Sequence, residues 1–166
     1  MSVDEKLLAD IRANIGSTRR ADLGEITALH IRRYALAIGE DDPLYTDPEY
    51  ARSQGHADVV APPNMLPSVI EWGVGHPEGE LNRDGTTGEH LQGVDTSGVR
   101  TMGGGETMTF HRPVVAGCRV TQTTTLVDAT MREGRSGPMI IVSYRNEYHD
   151  EHGTGLMTCD RTMLLR

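Results

Sequence analysis

The chain has 166 residues, 37% of them hydrophobic and 24% charged, a balance that suits one folded domain with a real core rather than a disordered segment. A formal net charge of -8 argues against a general binder of nucleic acid or of an anionic membrane surface, and no run approaches the ~20 apolar residues that span a bilayer. Lys6 is the only lysine, so nearly all positive charge is arginine, which suits bidentate contact with phosphate or carboxylate.

With one Trp and one Phe, the core must come from Val, Ile, Leu, Met and Ala. Cys118 and Cys159 lie in no CxxC spacing and near no His cluster, so they read as buried, reduced thiols and no metal site is expected. The N-terminus carries Asp4 and Glu5 and no long apolar run, so it is not read as a secretion signal, and a cytoplasmic location is expected.

In chain order, residues 4 to 15 place Leu7, Leu8, Ile11 and Ile15 on one helical face, which Gly16 ends. A polar connector with Arg19, Arg20 and Asp22 follows. A second helix is predicted from an N-cap at Thr27 to Ile38, with Ala28, Ile31, Ala35 and Ile38 as its inner stripe and Gly39 as its stop. The acidic turn Glu40-Asp41-Asp42 leads into Pro43-Leu44-Tyr45, and Asp47-Pro48 opens a further short helical piece. Ala51 to Asp58 reads as a polar loop. Pro62-Pro63-Asn64 then leads into a third helix over 64–75, with Met65, Val69 and Trp72 buried and Pro67 tolerated in its first turn.

Residues 73–105 form a Gly-rich polar excursion, in which Gly103-Gly104-Gly105 reads as a bend before a strand. From Glu106 the period changes to 2. Strands are predicted at 106–110, 120–128, 139–148 and 156–166, with turns at Gly134–Pro138 and Asp150–Gly155. Helices first and antiparallel strands after give an α+β class.

Several residues invite chemistry. Glu40 and Tyr45 flank a tight turn where two side chains could converge, although, the motif aside, a solvated helix stop is the better reading of Glu40-Asp41-Asp42 and a core tyrosine an equal reading of Tyr45. Arg112 and Arg135 could meet phosphates or pair with acids. His56, His76 and His90 lie in polar loops, and His111 has no partner apparent in the sequence.

The order and spacing of these features resemble the MaoC-like (R-specific enoyl-CoA) hydratase and dehydratase family, in particular its N-terminal dehydratase-type, FAS1-like branch. The family's hydratase motif reads Tyr, a short apolar spacer, Gly-Asp-x-Asn-Pro-aliphatic-His, five residues, then Ala or Ser. Tyr34, Gly39, Pro43, Leu44 and Ala51 stand at the matching positions. Phe110-His111-Arg112-Pro113-Val114 with Gly117 is similar to the family's aromatic-x-Arg-Pro-Val…Gly-Asp strand start, Cys118 replacing the Asp. Ala61-Pro62-Pro63 and Gly134-Arg135-Ser136-Gly137-Pro138 agree as well.

The resemblance implies a single hot-dog domain over 1–166, an antiparallel sheet wrapped around one long central helix, with 1–24 as an N-terminal helix and connector. It implies water addition to, or removal from, acyl thioesters of coenzyme A or a carrier protein, with no cofactor beyond the coenzyme A of the substrate. It implies Glu40 and Tyr45 as the catalytic positions and Asp42, Pro63, Asn64, Arg112 and Arg135 as substrate-binding. The chain departs from the motif at these positions. Glu40 replaces Asp, Asp42 replaces Asn, Tyr45 replaces His, and Pro63, which has no N–H, stands where a glycine would stabilise the thioester oxyanion. A phenol with a reference pKa of ~10 is a poor base at neutral pH.

The expectation is therefore a non-catalytic or weakly catalytic half of a hydratase or dehydratase, paired with a catalytic MaoC-like paralogue or with itself as a dimer, and with no nucleic acid or membrane partner. The alternatives are a homodimeric hydratase using Glu40 and Tyr45, an acyl-thioester binding module without turnover, and a thioesterase using Glu71.

Overall fold

A computed structural model of the chain describes residues 5–73, 75–81, 85, 93–96, 99–135 and 137–166. Helix α1, Glu5–Arg12, buries Leu7, Leu8 and Ile11 as their spacing requires. Ile15 lies beyond the helix end and is exposed, not on its inner face as predicted. The connector expected after Gly16 is instead β1, Thr18–Glu25. Its sequence, Thr-Arg-Arg-Ala-Asp-Leu-Gly-Glu, is polar on both faces because the strand lies at a sheet edge, so it offers no apolar alternation to read.

Helix α2, Ala28–Ile38, starts where Thr27 Oγ1 accepts the His30 N–H at 3.2 Å and stops at Gly39, whose left-handed φ of 76° suits glycine. Its inner line is narrower than predicted: Ile31 and Ala35 are buried, while Ala28 and Ile38 are exposed. One 3-10 turn, Pro43–Tyr45, precedes α3, Pro48–Ser53, which Asp47 caps.

Four longer strands follow: β2, Thr101–Phe110; β3, Arg119–Gly134; β4, Gly137–His149; and β5, Gly155–Leu165. All pair antiparallel in the order β1-β3-β4-β5-β2. Gly103 to Gly105 is not a bend before β2 but lies inside it as a bulge opposite Met163 and Thr162. Gly104 would bring a Cβ to 3.1 Å from the Thr162 carbonyl oxygen, which is why that position takes no side chain.

The inner face of the sheet carries two apolar clusters. Leu7, Leu8 and Ile11 of α1 pack on Leu126, Ile140, Val142 and Leu165. Ile26, Ile31, Met65 and Leu66 pack on Val120, Tyr148, Met157 and Cys159. Between the clusters the strands contribute a polar band. Thr124 Oγ1 donates to Asn146 Oδ1 at 2.7 Å, Gln122 Nε2 donates to Tyr148 Oη at 3.3 Å, and Arg161 Nε contacts Glu106 Oε1 at 2.5 Å.

The central helix is shorter and wider than the one predicted over 64–75. It is a π-helical segment, Leu66–Ile70, followed by a turn to Gly73. Pro67 cannot donate, and its carbonyl takes the Trp72 indole N–H at 3.2 Å, while the Glu71 N–H reaches back five residues to Leu66 O at 3.1 Å. Bonding five residues back in place of four widens the turn, so Met65 stays buried as predicted while Val69 and Trp72 turn outward and Leu66 is buried beside it. Val69 and Trp72 are accordingly 43% and 64% exposed.

Among the ion pairs of the described residues Glu71 is the least exposed, its side chain 6% accessible. Tyr148 Oη donates to its Oε2 at 2.7 Å and Gln122 Nε2 at 3.0 Å, while Arg161 Nη2 lies 2.6 Å from its Oε1. Removing one partner of a buried ion pair strands the other. Glu71→Ala is expected to lower unfolding free energy by about 3 kcal/mol, and Tyr148→Phe by about 1 kcal/mol. Urea denaturation followed by circular dichroism checks both, and equal small losses would deny Glu71 this anchoring role.

Candidate functional site

The sequence motif is first of all a piece of scaffold. Tyr34 and Tyr45 pack against the cluster around Ile31 and Tyr148. Gly39 supplies the left-handed stop, Asp42 Oδ1 accepts the Leu44 N–H at 2.8 Å to start the 3-10 turn, and Ala51 is fully buried. The turn is then tied to distant chain. Val60 N–H donates to Leu44 O at 3.1 Å, Ala61 N–H to Val114 O at 2.8 Å, and His111 and Arg112 N–H both reach Leu156 O, at 2.9 and 3.1 Å.

These ties close a pocket of about 290 Å³. Its walls are Leu44 and Tyr45 of the turn, Val60 to Pro63 with Leu66, the segment Phe110 to Val114, and Leu156 with Met157. The lining is chiefly apolar, with Tyr45, His111 and Arg112 as its polar side chains, a composition typical of small-molecule sites. Burial holds the Tyr45 hydroxyl above its ordinary pKa, and the Asp42 and Glu40 charges push the same way. A phenol in that setting keeps its proton and can donate a hydrogen bond.

The predicted site residues divide. Tyr45, Pro63 and Arg112 share the pocket. Glu40 and Asp42 stand beside Tyr45, close enough for their charges to act on it, but both are exposed and Asp42 is occupied as a cap. Asn64 is exposed at the start of the central segment. Arg135 sits in the β3–β4 turn, at the end of the 13-residue β4 remote from the pocket, roughly 40 Å along the strand. His56 is half-buried and His76 exposed, while His90 lies outside the described residues.

Two residues were under-read in the sequence. His111 does have a partner: its Nε2 lies 2.9 Å from Thr158 Oγ1, and its ring lines the pocket. The family-like Phe-His-Arg-Pro-Val segment marked the backbone but not that side chain. Glu71, a thioesterase-like candidate, is engaged by Tyr148, Gln122 and Arg161 and is not part of the pocket lining.

The cysteines are unpaired, Cys159 buried and Cys118 half-buried. Burial first, and then the neighbouring carboxylates, push both thiols up to about 11. Among the described residues no group of three or more His, Cys, Asp and Glu could hold a metal ion, and no helix is long and apolar enough to cross a membrane.

Residues 13–159 match the family described as FAS1-like, dehydratase domain region. The chain belongs to that family. A UPF0336 protein of Parafrankia sp. is 38% identical over 115 residues, 69% of this chain and 68% of that protein. Among solved structures, the ChsH1-ChsH2 complex from Mycobacterium tuberculosis superposes with a TM-score of 0.69 at 18% identity, covering 96% of this chain and 89% of that one. R-hydratase PhaJ1 from Pseudomonas aeruginosa does so with a TM-score of 0.60 at 14% identity, covering 90% and 79%. At these identities the likeness is one of fold, the MaoC-like hot-dog fold, which agrees with the five-stranded antiparallel sheet and few helices found here.

Tyr45, Tyr144 and Tyr148 are all held above the ordinary phenol pKa, chiefly by burial. The fold favours their neutral forms, so their contribution is complete below pH ~10 and is lost as pH rises beyond it, because the unfolded chain sheds those protons first. Absorbance at 295 nm during alkaline titration should therefore show these tyrosines ionising above pH ~10 together with loss of the fold. All five tyrosines titrating normally in folded protein would contradict the burial seen here.

Proposed function

We propose that this chain is the acyl-thioester-binding half of a two-chain hydratase or dehydratase, non-catalytic or weakly catalytic by itself, whose hot-dog partner supplies the acid-base pair. The observation that carries the reading is the pocket beneath the motif turn, which holds a phenol at 45 and a proline at 63. The turn still walls the pocket in which an acyl chain would lie. The position where a base near neutrality is wanted carries a group that stays protonated. The position where an oxyanion donor is wanted carries a residue with no N–H.

Arg112 lines the pocket and is exposed, where it would meet a phosphate of coenzyme A or of a carrier's prosthetic arm. His111, steadied by Thr158, would contact the same end of the ligand. No cofactor is needed, coenzyme A entering as part of the substrate. The likeness to the ChsH1-ChsH2 complex supports a partner of the same fold. A self-sufficient hydratase would need Glu40 as its base, but that side chain is exposed rather than enclosed with the ligand.

The test is hydration of a trans-2-enoyl-CoA by the pure chain, with calorimetric binding of a saturated acyl-CoA alongside. Binding is expected, weakened several-fold by Arg112→Ala, and turnover at least ~100-fold below that of an assembly with an intact site. Fast turnover by the pure chain, lost in Glu40→Ala, would defeat the proposal. Binding that no hot-dog partner converts to turnover would make the chain a binding module instead.

A further inference from the structure

Strand β2 ends the sheet, and among the described residues it pairs only with β5. A ten-residue edge of unpaired N–H and C=O groups is a template for another strand. The sequence here, Thr-Met-Gly-Gly-Gly-Glu-Thr-Met-Thr-Phe, contains no Pro and no Lys to blunt it. It contains one charge, Glu106, opposite Arg161 in the β2–β5 ladder and therefore on the inner face. The Leu66–Ile70 segment and the turn after it leave Val69 and Trp72 uncovered.

Glu106 belongs to a cluster that does not balance. Arg161 is the single cation between two carboxylates, Nε at 2.5 Å from Glu106 Oε1 and Nη2 at 2.6 Å from Glu71 Oε1. Glu71 is 6% exposed and Glu106 33%, so the more accessible of the two carboxylates is the one on the edge strand β2.

A second copy pairing across a two-fold axis would set this strand against itself. A register that uses nine or ten of these residues brings Glu106 opposite its own copy or within two residues of it, inside ~8 Å. Like charges so placed oppose association. An inward-pointing charge on an edge strand is also a recognised obstacle to self-pairing. A different strand with a cation at that rung meets no such obstacle and would neutralise the cluster.

We propose that the β2 edge is a partner-selecting surface, on which Glu106 rejects a second copy of this chain and accepts a different hot-dog chain whose edge strand carries Arg or Lys on its inner face. This rests on the partner reading above and names the chemistry of that partner. The interaction surface is the β2 backbone, with Glu106 as its specificity determinant.

A charge-swapped copy of the chain can stand in for the partner. Sedimentation velocity and native mass spectrometry would compare the wild type, Glu106→Gln, Glu106→Lys and an equimolar mixture of wild type with Glu106→Lys. Glu133→Lys, at the far end of the β3–β4 hairpin, controls for net charge. Thermal melts confirm that each variant is folded. The expected result is weak self-association of the wild type, association at least ~10-fold tighter for Glu106→Gln, and a mixed wild-type and Glu106→Lys dimer tighter than either alone, the preference fading in high salt. A tight wild-type dimer unchanged by Glu106→Gln, a mixed pair no tighter than its components, or the same effect from Glu133→Lys would each overturn the proposal. These outcomes concern the edge alone, and the acyl-CoA binding and turnover assays on the same pure protein decide the pocket reading separately.

Discussion

The attachment of Glu71 to the sheet is the contact on which the rest of the structure depends. A five-stranded antiparallel sheet has one face to bury, and here α1 covers one part of it while α2 and the Leu66–Ile70 segment cover another. Between them the sheet presents Gln122, Thr124, Asn146, Tyr148 and Arg161, whose polar atoms need partners. Glu71 supplies them from above, engaging Gln122, Tyr148 and Arg161 together. A well-packed apolar belt could match it in stability, but it would not fix where along the sheet the central segment sits. Polar partners at three defined rungs fix that register, and the register sets the Pro62-Pro63 entry against Leu44, Tyr45 and Phe110.

The pocket is thus downstream of an interaction that lies outside its lining. Its walls come from segments far apart in sequence, joined by backbone hydrogen bonds from Val60 to Leu44, Ala61 to Val114 and His111 to Leu156. Backbone bonds depend little on which side chains the segments carry. A hydratase-like cavity can therefore persist while the residues at 40, 45 and 63 vary, because those side chains contribute little to closing it. Tyr45 is the partial exception, since it also packs on the cluster of Ile31 and Tyr148.

What was legible in the sequence follows from the same division. Elements written in local chemistry were readable: α2 between Thr27 and Gly39, the Asp47 cap of α3, the Gly134–Pro138 turn, and the long alternating runs of β3, β4 and β5. The motif residues could be placed because Gly39, Pro43 and Ala51 act through backbone conformation and volume. Strand β1 was not readable, since an edge strand whose only half-buried apolar side chains are Ala21 and Leu23 shows no sustained apolar period. The central helix was misread because the hydrophobic-stripe rule assumes 3.6 residues per turn, and around Pro67 the segment bonds five residues back and winds more widely. The roles of His111 and Glu71 were hidden for a different reason: their partners, Thr158 and the Gln122–Tyr148–Arg161 group, are 47 to 90 positions away by number and meet only through strand register.

The bulge in β2 ties these threads together. Inserting Gly104 between Gly103 and Gly105 shifts the pairing with β5, so that Gly103 faces Met163 on one side of the bulge while Glu106 faces Arg161 on the other. Were Gly104 paired in the ladder instead of bulged out, a strand still aligned at its Thr101 end would set Gly105 rather than Glu106 opposite Arg161, and the inner and outer faces would exchange from there to Phe110. Phe110 would leave the pocket wall and Glu106 would leave the cluster. The close approach of Gly104 to the Thr162 backbone keeps the bulge at one place, because a side chain there would have to displace the neighbouring strand. One glycine thus sets which face of the edge strand carries both the pocket wall and the charge.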